Sequence, residues 1–319
     1  MEATELKDLE IEVRCDECGA VLLVAERLLS ARCPYCTSTS VVEREPTKDR
    51  PRPTFLVPFT WGRERVEDKL KRWIGNRGIF APSAFKEAAL EGLRGVYVPA
   101  WLYGAVGAAE YSASIGENYT RVETYTTTDS KGNTVTRTRV RTYTEWRSLN
   151  GRYEGWMMDF LVSASEGLNN EDLETLEPFD LRALKRYDQR ALAGWIAEQA
   201  SVDRAACMGD ARGEAEDRIG RELDGFMPGD SHRSLRYSPE FQEETASLVL
   251  LPVWIGTARY GAKREQVRIL LNGQSGEVVG RVPKSALKIA LFLVGALALI
   301  ALAVGLMGLA SGGVSFGHY

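Results

Sequence analysis

A stretch of 22 residues without a charged side chain, from Ile289 to Ala310, places the strongest constraint on what this chain can fold into. At about 1.5 Å per residue, a helix of this length spans about 33 Å, enough to cross a hydrocarbon core about 30 Å thick. The alternative, a buried helix that closes a soluble domain, fits shorter apolar runs better. The sequence therefore predicts a membrane anchor over residues 284–311 and a short extracytoplasmic tail over residues 312–319.

The charges around this stretch predict its orientation. Arg281, Lys284 and Lys288 precede it, whereas the residues after it include no lysine or arginine. Basic flanks stay on the cytoplasmic side of a membrane. Residues 1–12 are acidic and lack the basic and apolar regions of a signal peptide. We expect a single-pass protein of the cell (inner or plasma) membrane whose N-terminal bulk is cytoplasmic.

Four of the five cysteines form two close pairs, Cys15-x2-Cys18 and Cys33-x2-Cys36, separated by 14 residues. This is the spacing of a zinc ribbon, in which two turns direct four thiolates at one ion. Redox dithiols and an iron site are the alternatives, because four sulfur ligands favour zinc or iron–sulfur chemistry. We predict one structural Zn²⁺ in a ribbon over residues 1–45, with no open coordination position for catalysis.

The charge of the ribbon argues against nucleic acid as its partner. Residues 1–45 include ten acidic and five basic side chains, a difference of -5, and four thiolates on one zinc ion add a further net -2. Phosphate binding depends on lysine and arginine, so a protein partner fits this module better. The whole chain has a formal charge of -4, which also differs from the basic footprint of a dedicated nucleic-acid binder.

Signs of catalysis are weak. The chain contains two histidines and lacks the phosphate-binding G-x-x-x-x-G-K-[ST], the nucleophile elbow G-x-S-x-G and the metalloprotease H-E-x-x-H. Cys207 shares an i+4 stripe with Ala211, Ala215, Ile219 and Leu223, which predicts a packed side chain in a helix interface instead of a reactive thiol. Trp101 and Trp254 are expected in the core. We therefore expect a protein that is not an enzyme and has no catalytic residues.

Residues 46–54, PTKDRPRPT, predict a linker, and a faint repeat follows it. Leu56-Val-Pro58-Phe59 is echoed by Leu176-Glu-Pro178-Phe179, and Val98-Pro99-Ala-Trp101 by Leu251-Pro252-Val-Trp254. The prolines are 41 residues apart in the first half and 74 in the second, which predicts an extra helical insertion there. The fold class expected is α+β, with two related modules of antiparallel sheet over residues 55–165 and 166–283. Because proline removes a ladder donor, both P-x-W strands are expected to be edges or bulged.

A long antiparallel hairpin is predicted within the first module, because threonine, valine and tyrosine are frequent on both sides of the turn sequence DSKGN. Arg137, Arg139 and Arg141 share one face of its second strand by the period of two. This stripe could contact anionic lipid headgroups. A solvated face of an exposed arm is an equally good interpretation.

The order of the motifs resembles the bacterial TFIIB-type zinc-ribbon membrane proteins, also called YdjG-like, some of which carry helicase or primosomal names. The motifs are CDECG, CPYC, GVYVPAWLYGA, LEPFDL, YDQRALAGWIAE, LLPVWIGTARY and NGQSGEVVGRVP, followed by the apolar stretch. The resemblance implies a membrane protein found beside PspA-like and flotillin-like SPFH proteins in envelope-stress systems. It also implies zinc ligation by Cys15, Cys18, Cys33 and Cys36, and provides no catalytic residue.

The sequence thus favours an adaptor or scaffold that recruits partner proteins to the cytoplasmic face of the membrane. One alternative is a membrane-tethered regulator that binds nucleic acid through the ribbon, and another is a membrane-bound enzyme of unrecognised chemistry. Ala301 and Gly305 have the small-xxx-small spacing of associating helices, which would allow an oligomer, although chance explains it better in so alanine-rich a segment.

Overall fold

The structure is a computed structural model that describes residues 10–25, 32–39, 41–44, 51–128, 130, 132–192, 194–263 and 265–311. The strands are β1 (Glu10–Cys15), β2 (Val21–Ala25), β3 (Val41–Arg44), β4 (Phe55–Leu56), β5 (Ala89–Thr128), β6 (Thr134–Ser163), β7 (Lys185–Arg186), β8 (Ile196–Glu198), β9 (Ser231–Tyr260), β10 (Glu265–Asn272) and β11 (Val278–Gly280). The helices are α1 (Arg63–Gly75), α2 (Ser83–Lys86), α3 (Asn170–Leu176), α4 (Arg204–Phe226) and α5 (Ala286–Ser311). Two 3₁₀ turns cover Leu181–Ala183 and Gln189–Leu192.

Within these described ranges, eleven strands form one large mixed sheet. Its main order is β11-β10-β9-β5-β8-β2-β1-β3, with β6 beside β5, β4 beside β9, and β7 beside β4. Strands β5 and β9 are its centre and pair antiparallel from Ala89↔Arg259 to Gly116↔Ser231. The fold class is mixed α and β, as the sequence indicates, but both halves of the chain and the ribbon strands share this sheet. The separate antiparallel sheets expected for residues 55–165 and 166–283 are not seen.

The two P-x-W segments lie in the central strands, so the expectation of edge or bulged strands is wrong. Pro99 is in β5, where pairing with β8 ends at Tyr97 and pairing with β6 begins at Ala100. Pro252 is in β9, where pairing with β4 ends at Leu250 and pairing with β10 begins at Val253. Each proline therefore lies where its strand changes from one partner strand to the next. On that side of the strand no partner needs the N–H that proline lacks.

Helix α4 is the insertion predicted for the second half. Asp203 caps it by accepting a hydrogen bond from the Ala206 N–H at 3.3 Å, as an N-cap carboxylate should. The predicted stripe from Cys207 to Leu223 is buried and packs with Trp101 and Met157 of the sheet. Trp254 is also buried, so both tryptophans have the expected core positions.

The β5–β6 hairpin extends beyond the rest of the sheet. Pairing with β9 ends at Gly116, but β5 and β6 stay paired until Thr128↔Thr134. The part of each strand beyond Gly116 is 12 residues long and, at about 3.3 Å per residue, projects about 40 Å as a two-stranded hairpin. This hairpin end is here called the arm (residues 117–128 and 134–145). The hairpin is therefore confirmed, with residues 129 and 131 of its turn outside the described residues.

The segment that leads into the opposite end of β5 contacts the start of helix α5. Helix α1 buries Val66, Leu70 and Ile74, and α2 precedes β5 directly. The Ser285 N–H, just before α5, donates to the Phe80 carbonyl at 2.8 Å. Helix α5 therefore starts next to α2, while the arm projects from the far end of a 40-residue strand.

Candidate metal centre

The two C-x-x-C segments fold into matching turns. In the first, the Cys15 N–H donates to the Ala20 carbonyl and the Gly19 N–H to the Cys15 carbonyl, both at 3.0 Å. In the second, the Cys33 N–H donates to the Ser38 carbonyl at 2.8 Å and the Thr37 N–H to the Cys33 carbonyl at 3.0 Å. Gly19 has φ of 79° and Thr37 has φ of 60°, the left-handed conformation that this turn requires and that costs glycine least.

The four predicted ligands, Cys15, Cys18, Cys33 and Cys36, lie within 4.8 Å of one another through their sulfur atoms. The Cys15 and Cys36 sulfurs are 3.5 Å apart, and those of Cys18 and Cys33 are 3.6 Å apart. A tetrahedral zinc ion with bonds of about 2.3 Å would place its sulfur ligands about 3.8 Å apart. The cluster therefore has the size and the donor set to hold one metal ion.

The thiol chemistry of the cluster also fits a cation. The hydrogen bond with Cys33, followed by burial, raises the pKa of Cys18 well above its ordinary value, and burial raises the pKa of Cys36 to about 11. Thiols packed this closely resist ionisation because each thiolate would repel the next. A bound divalent cation offsets that repulsion and favours the thiolate form that ligates metal. Four such ligands leave no open coordination position, as a structural site requires.

A buried polar network around the Glu198 carboxylate contacts the second cysteine turn. Tyr35, between Cys33 and Cys36, donates a hydrogen bond to the carboxylate of Glu198. Ser165 Oγ donates to the same carboxylate at 2.6 Å, and the Gly167 N–H lies 3.5 Å from it. Burial raises the pKa of Glu198 to about 7, whereas the three hydrogen bonds act in the opposite direction.

Sequence reasoning did not find this network. Glu198 ends a three-residue strand, 163 positions from Tyr35, and no local pattern links them. A possible signal was the tyrosine inside CPYC, because a buried phenol needs a hydrogen-bond partner. Gly167 lies directly against the Tyr35 ring, where an added Cβ would approach Cδ2 to 2.6 Å. The loop after β6 is therefore shaped around the second cysteine turn.

The ribbon is continuous with the main sheet. Strand β2 pairs with β8 through Leu22↔Glu198 and Leu23↔Ala197, and β8 pairs with β5. The Thr37 hydroxyl lies 3.3 Å from Gln266 Oε1 of β10. Buried ribbon side chains, including Val13 and Leu22, belong to the same core cluster as the central strands. Residues 26–31 and 40, between and beside the cysteine turns, and residues 46–50 of the predicted linker are outside the described residues.

The fifth cysteine lies outside this cluster. The Cys207 thiol is 3.4 Å from the Ser163 carbonyl, and burial raises its pKa. This favours a packed thiol over a reactive one, as the sequence predicts.

The arginines of the arm share one face, as predicted. Arg137, Arg139 and Arg141 pair across the hairpin with Tyr125, Glu123 and Arg121. Arg139 and Arg141 both form ion pairs with Glu123, at 3.0 and 3.3 Å, so part of the positive charge is neutralised within the arm. The other face presents threonines around the directly opposed Val122 and Val140, which are 65% and 67% exposed.

Helix α5 is long and apolar enough to span a membrane over Ala286–Val304, and none of that segment is buried in the protein. A core helix would be covered, so the buried interpretation is wrong for these residues. Residues 312–319 of the predicted tail are outside the described residues.

A cleft of about 750 Å³ lies between α3, α4 and β6. Glu174, Glu177 and Glu214 line it. Burial, together with Glu214 and Glu174, raises the pKa of Glu177 to about 7. The cleft is separate from the cysteine cluster, and sequence reasoning did not identify it.

Comparisons with known proteins show similarity to one uncharacterized bacterial protein and to no family model. No protein-family model matches it, and no solved structure matches it. The uncharacterized protein YdjG of Bacillus subtilis strain 168 is 27% identical to it over 263 residues, which covers 82% of this chain and 72% of YdjG. The chain is therefore similar to YdjG along most of its length, with a four-cysteine cluster near one end and a candidate membrane helix near the other.

Proposed function

We propose that this protein is a membrane-anchored adaptor or scaffold that recruits partner proteins to the cytoplasmic face of the membrane. One observation carries the proposal: α5 and the arm lie at opposite ends of β5. About 130 Å of strand, measured along its path at about 3.3 Å per residue, separates the start of β5 from the arm tip. A surface held so far from the anchor is suited to bind partners, and no catalytic role is assigned to any residue.

The four clustered cysteines are proposed to hold one structural Zn²⁺. Their sulfur spacing and the set of four thiolate donors support this choice, because structural zinc sites are closed tetrahedra of thiolate or imidazole ligands. The ion would fix the two turns against β8 and β10. It would supply no catalytic chemistry.

The class of partner is inferred from the motif resemblance to TFIIB-type zinc-ribbon membrane proteins. PspA-like or SPFH-like proteins of an envelope-stress response are therefore the partners proposed. The acidic ribbon disfavours nucleic acid, so the tethered regulator is the weaker proposal.

The arm offers an exposed surface for such a partner. The directly opposed Val122 and Val140 form an uncharged patch, the kind of exposed apolar area that marks interaction sites. The other face, with Arg137, Arg139 and Arg141, was predicted to contact anionic lipids, and this stays a prediction. The arm projects from the end of β5 farthest from α5, which makes a protein surface a better target than the bilayer that holds α5.

The test uses full-length protein in lipid nanodiscs and purified PspA-like and SPFH-like proteins. The double substitution Val122→Glu and Val140→Glu should weaken binding about ten-fold or more, equivalent to about 1.4 kcal/mol, because it places two charges in the contact. Phe226→Glu is the matched control, since Phe226 is 68% exposed at the end of α4, outside the arm.

Equal binding by the arm variant and the control would contradict the role of the arm. Absence of binding by the wild type to either protein class would contradict the proposed partners. Tight, salt-sensitive DNA binding by the full-length protein would instead favour the regulator.

A further inference from the structure

The segment between α1 and α2, residues 76–82, is attached to the start of helix α5. Besides the hydrogen bond from the Ser285 N–H to the Phe80 carbonyl, Lys288 Nζ donates to the Ala81 carbonyl at 2.8 Å and to Ser83 Oγ at 3.2 Å. The rings of Phe80 and Phe292 meet edge to face, with centroids 5.3 Å apart. Polar contacts and an aromatic contact therefore fix this segment beside the first turns of α5.

The contact with Phe292 determines how deep the segment would lie. Phe292 is the fourth residue of the uncharged stretch that begins at Ile289, about 4.5 Å along the helix axis at about 1.5 Å per residue. If α5 spans a bilayer, the Phe80 ring lies near the boundary between headgroups and acyl chains. Ile79, the preceding residue, is 66% exposed within the protein. Because Phe80 lies at this depth, the adjacent Ile79 side chain lies where lipid would cover it.

The polar residues around the segment suit a membrane interface. Arg77 donates to the Trp73 carbonyl at 2.6 Å, and its guanidinium carbon lies 3.7 Å from the centroid of a Trp73 ring. Lys284 is exposed just before α5, and Lys86 is exposed on α2. Aromatic side chains next to lysine and arginine are typical of the headgroup layer, where amphipathic side chains have both environments available.

We propose that Gly78–Phe80 forms a second membrane contact, a loop whose Ile79 and Phe80 side chains insert into the phospholipid surface beside α5. The inference rests on the proposed anchoring by α5 and deepens it. A lone spanning helix leaves the attached domain free to swivel and tilt. A second contact beside the helix restrains that motion, so the sheet and its arm are held at a defined angle to the bilayer.

The test places a tryptophan at the proposed contact in the full-length protein, reconstituted in phosphatidylcholine vesicles with or without bromine on the acyl chains. Ile79→Trp should add fluorescence that is shifted to shorter wavelength and lost in the brominated vesicles. Val122→Trp is the matched control, because Val122 on the arm has nearly the same exposed fraction, 65% against 66%. Its added fluorescence should resemble tryptophan in water and should not change with bromination.

A third variant, Leu297→Trp, reports on α5 itself, where Leu297 is 66% exposed. Quenching at 297 but not at 79 would overturn the loop contact and leave the anchor intact. Quenching at neither position would show that α5 is outside the bilayer, and the loop contact and the proposed anchoring would fail together. A short-wavelength shift at 79 without quenching would mean that protein covers the loop, which also overturns the proposal.

Discussion

Cys33→Ser should destabilise the whole sheet, because the ribbon shares its core with the central strands. If the ribbon were an independent module, it alone would unfold in this variant and the rest of the protein would stay folded. The structure predicts a different outcome. Strand β2 is paired with β8, and Val13, Leu22 and Tyr35 are 3–4% exposed within the largest shared core cluster.

The size of the effect follows from what the ribbon covers. Burial of a large apolar side chain stabilises a fold by about 2 kcal/mol, so these three contribute about 6 kcal/mol as an upper estimate. Loss of Tyr35 also leaves the buried Glu198 carboxylate without one donor, at a cost of about 1–3 kcal/mol. A domain is typically stable by about 5–15 kcal/mol, so the ribbon accounts for a large share. At about 2–4 °C per kcal/mol, the loss of 6 kcal/mol corresponds to a Tm lower by about 12–24 °C.

Tryptophan fluorescence provides the assay, because all seven tryptophans lie outside residues 1–45 and report on the main sheet. The wild type should contain about one zinc per chain by metal analysis, and Cys33→Ser should contain none. Cys207→Ser is the matched control, since Cys207 lies in α4, outside the cluster, and its removal should preserve the metal. A Cys33→Ser protein that has lost zinc but whose tryptophan transition matches the wild type would refute the reasoning.

Two further predictions concern pH and orientation. The raised pKa of Glu177 means that the folded state binds its proton more tightly than the unfolded chain, so the stability that this group contributes is fully present below about pH 4.5 and is lost as pH rises through 7. Glu177→Gln should therefore be more stable than the wild type above pH 7, by about 1–2 kcal/mol after allowance for solvent screening, and unfolding in urea at pH 5 and pH 8 tests this; equal stability of the two proteins at pH 8 would contradict it. The exposed Asp16→Cys should resist a membrane-impermeant thiol reagent in intact cells and react after lysis, because the basic residues before α5 predict a cytoplasmic ribbon; labelling before lysis would show the opposite orientation.

The features predicted from sequence are those that local patterns encode. Apolar spacing predicted the buried stripe of α4, and the paired cysteines indicated the cluster. The length of one uncharged run indicated α5. Each of these signals lies within a few tens of residues, where periodicity and spacing act directly.

The features that were missed depend on pairing between distant segments. Tyr35 reaches Glu198 across 163 positions, and β2 joins β8 across a similar distance. Such pairings depend on which strand becomes the neighbour of which, and alternation within a strand carries little information about that choice. The 40-residue length of β5 was missed for a related reason, since it is stabilised by different partners along its path.

The faint repeat corresponds to a local two-fold symmetry within one sheet, and not to the two separate modules expected. The P-x-W segments pair with each other, with Tyr97 opposite Pro252 and Pro99 opposite Leu250, so a local two-fold axis passes between them. The same axis relates their neighbours. Before its proline each central strand has a short parallel partner, β8 for β5 and β4 for β9. After its proline each has an antiparallel partner, β6 for β5 and β10 for β9.

This arrangement explains why both halves retain a proline in a central strand. A change of neighbour leaves one backbone position on that side without a ladder partner, and proline fills it without an unsatisfied N–H. The parallel partner of each central strand comes from the other half, since β4 precedes β5 in sequence but pairs with β9, and β8 precedes β9 but pairs with β5. The halves are therefore interlocked, and neither can complete its own sheet. Because the ribbon joins through β8, the cysteine cluster, the segment that contacts α5 and the arm are all attached to one interlocked sheet, through which a load at the arm would be transmitted to the α5 end.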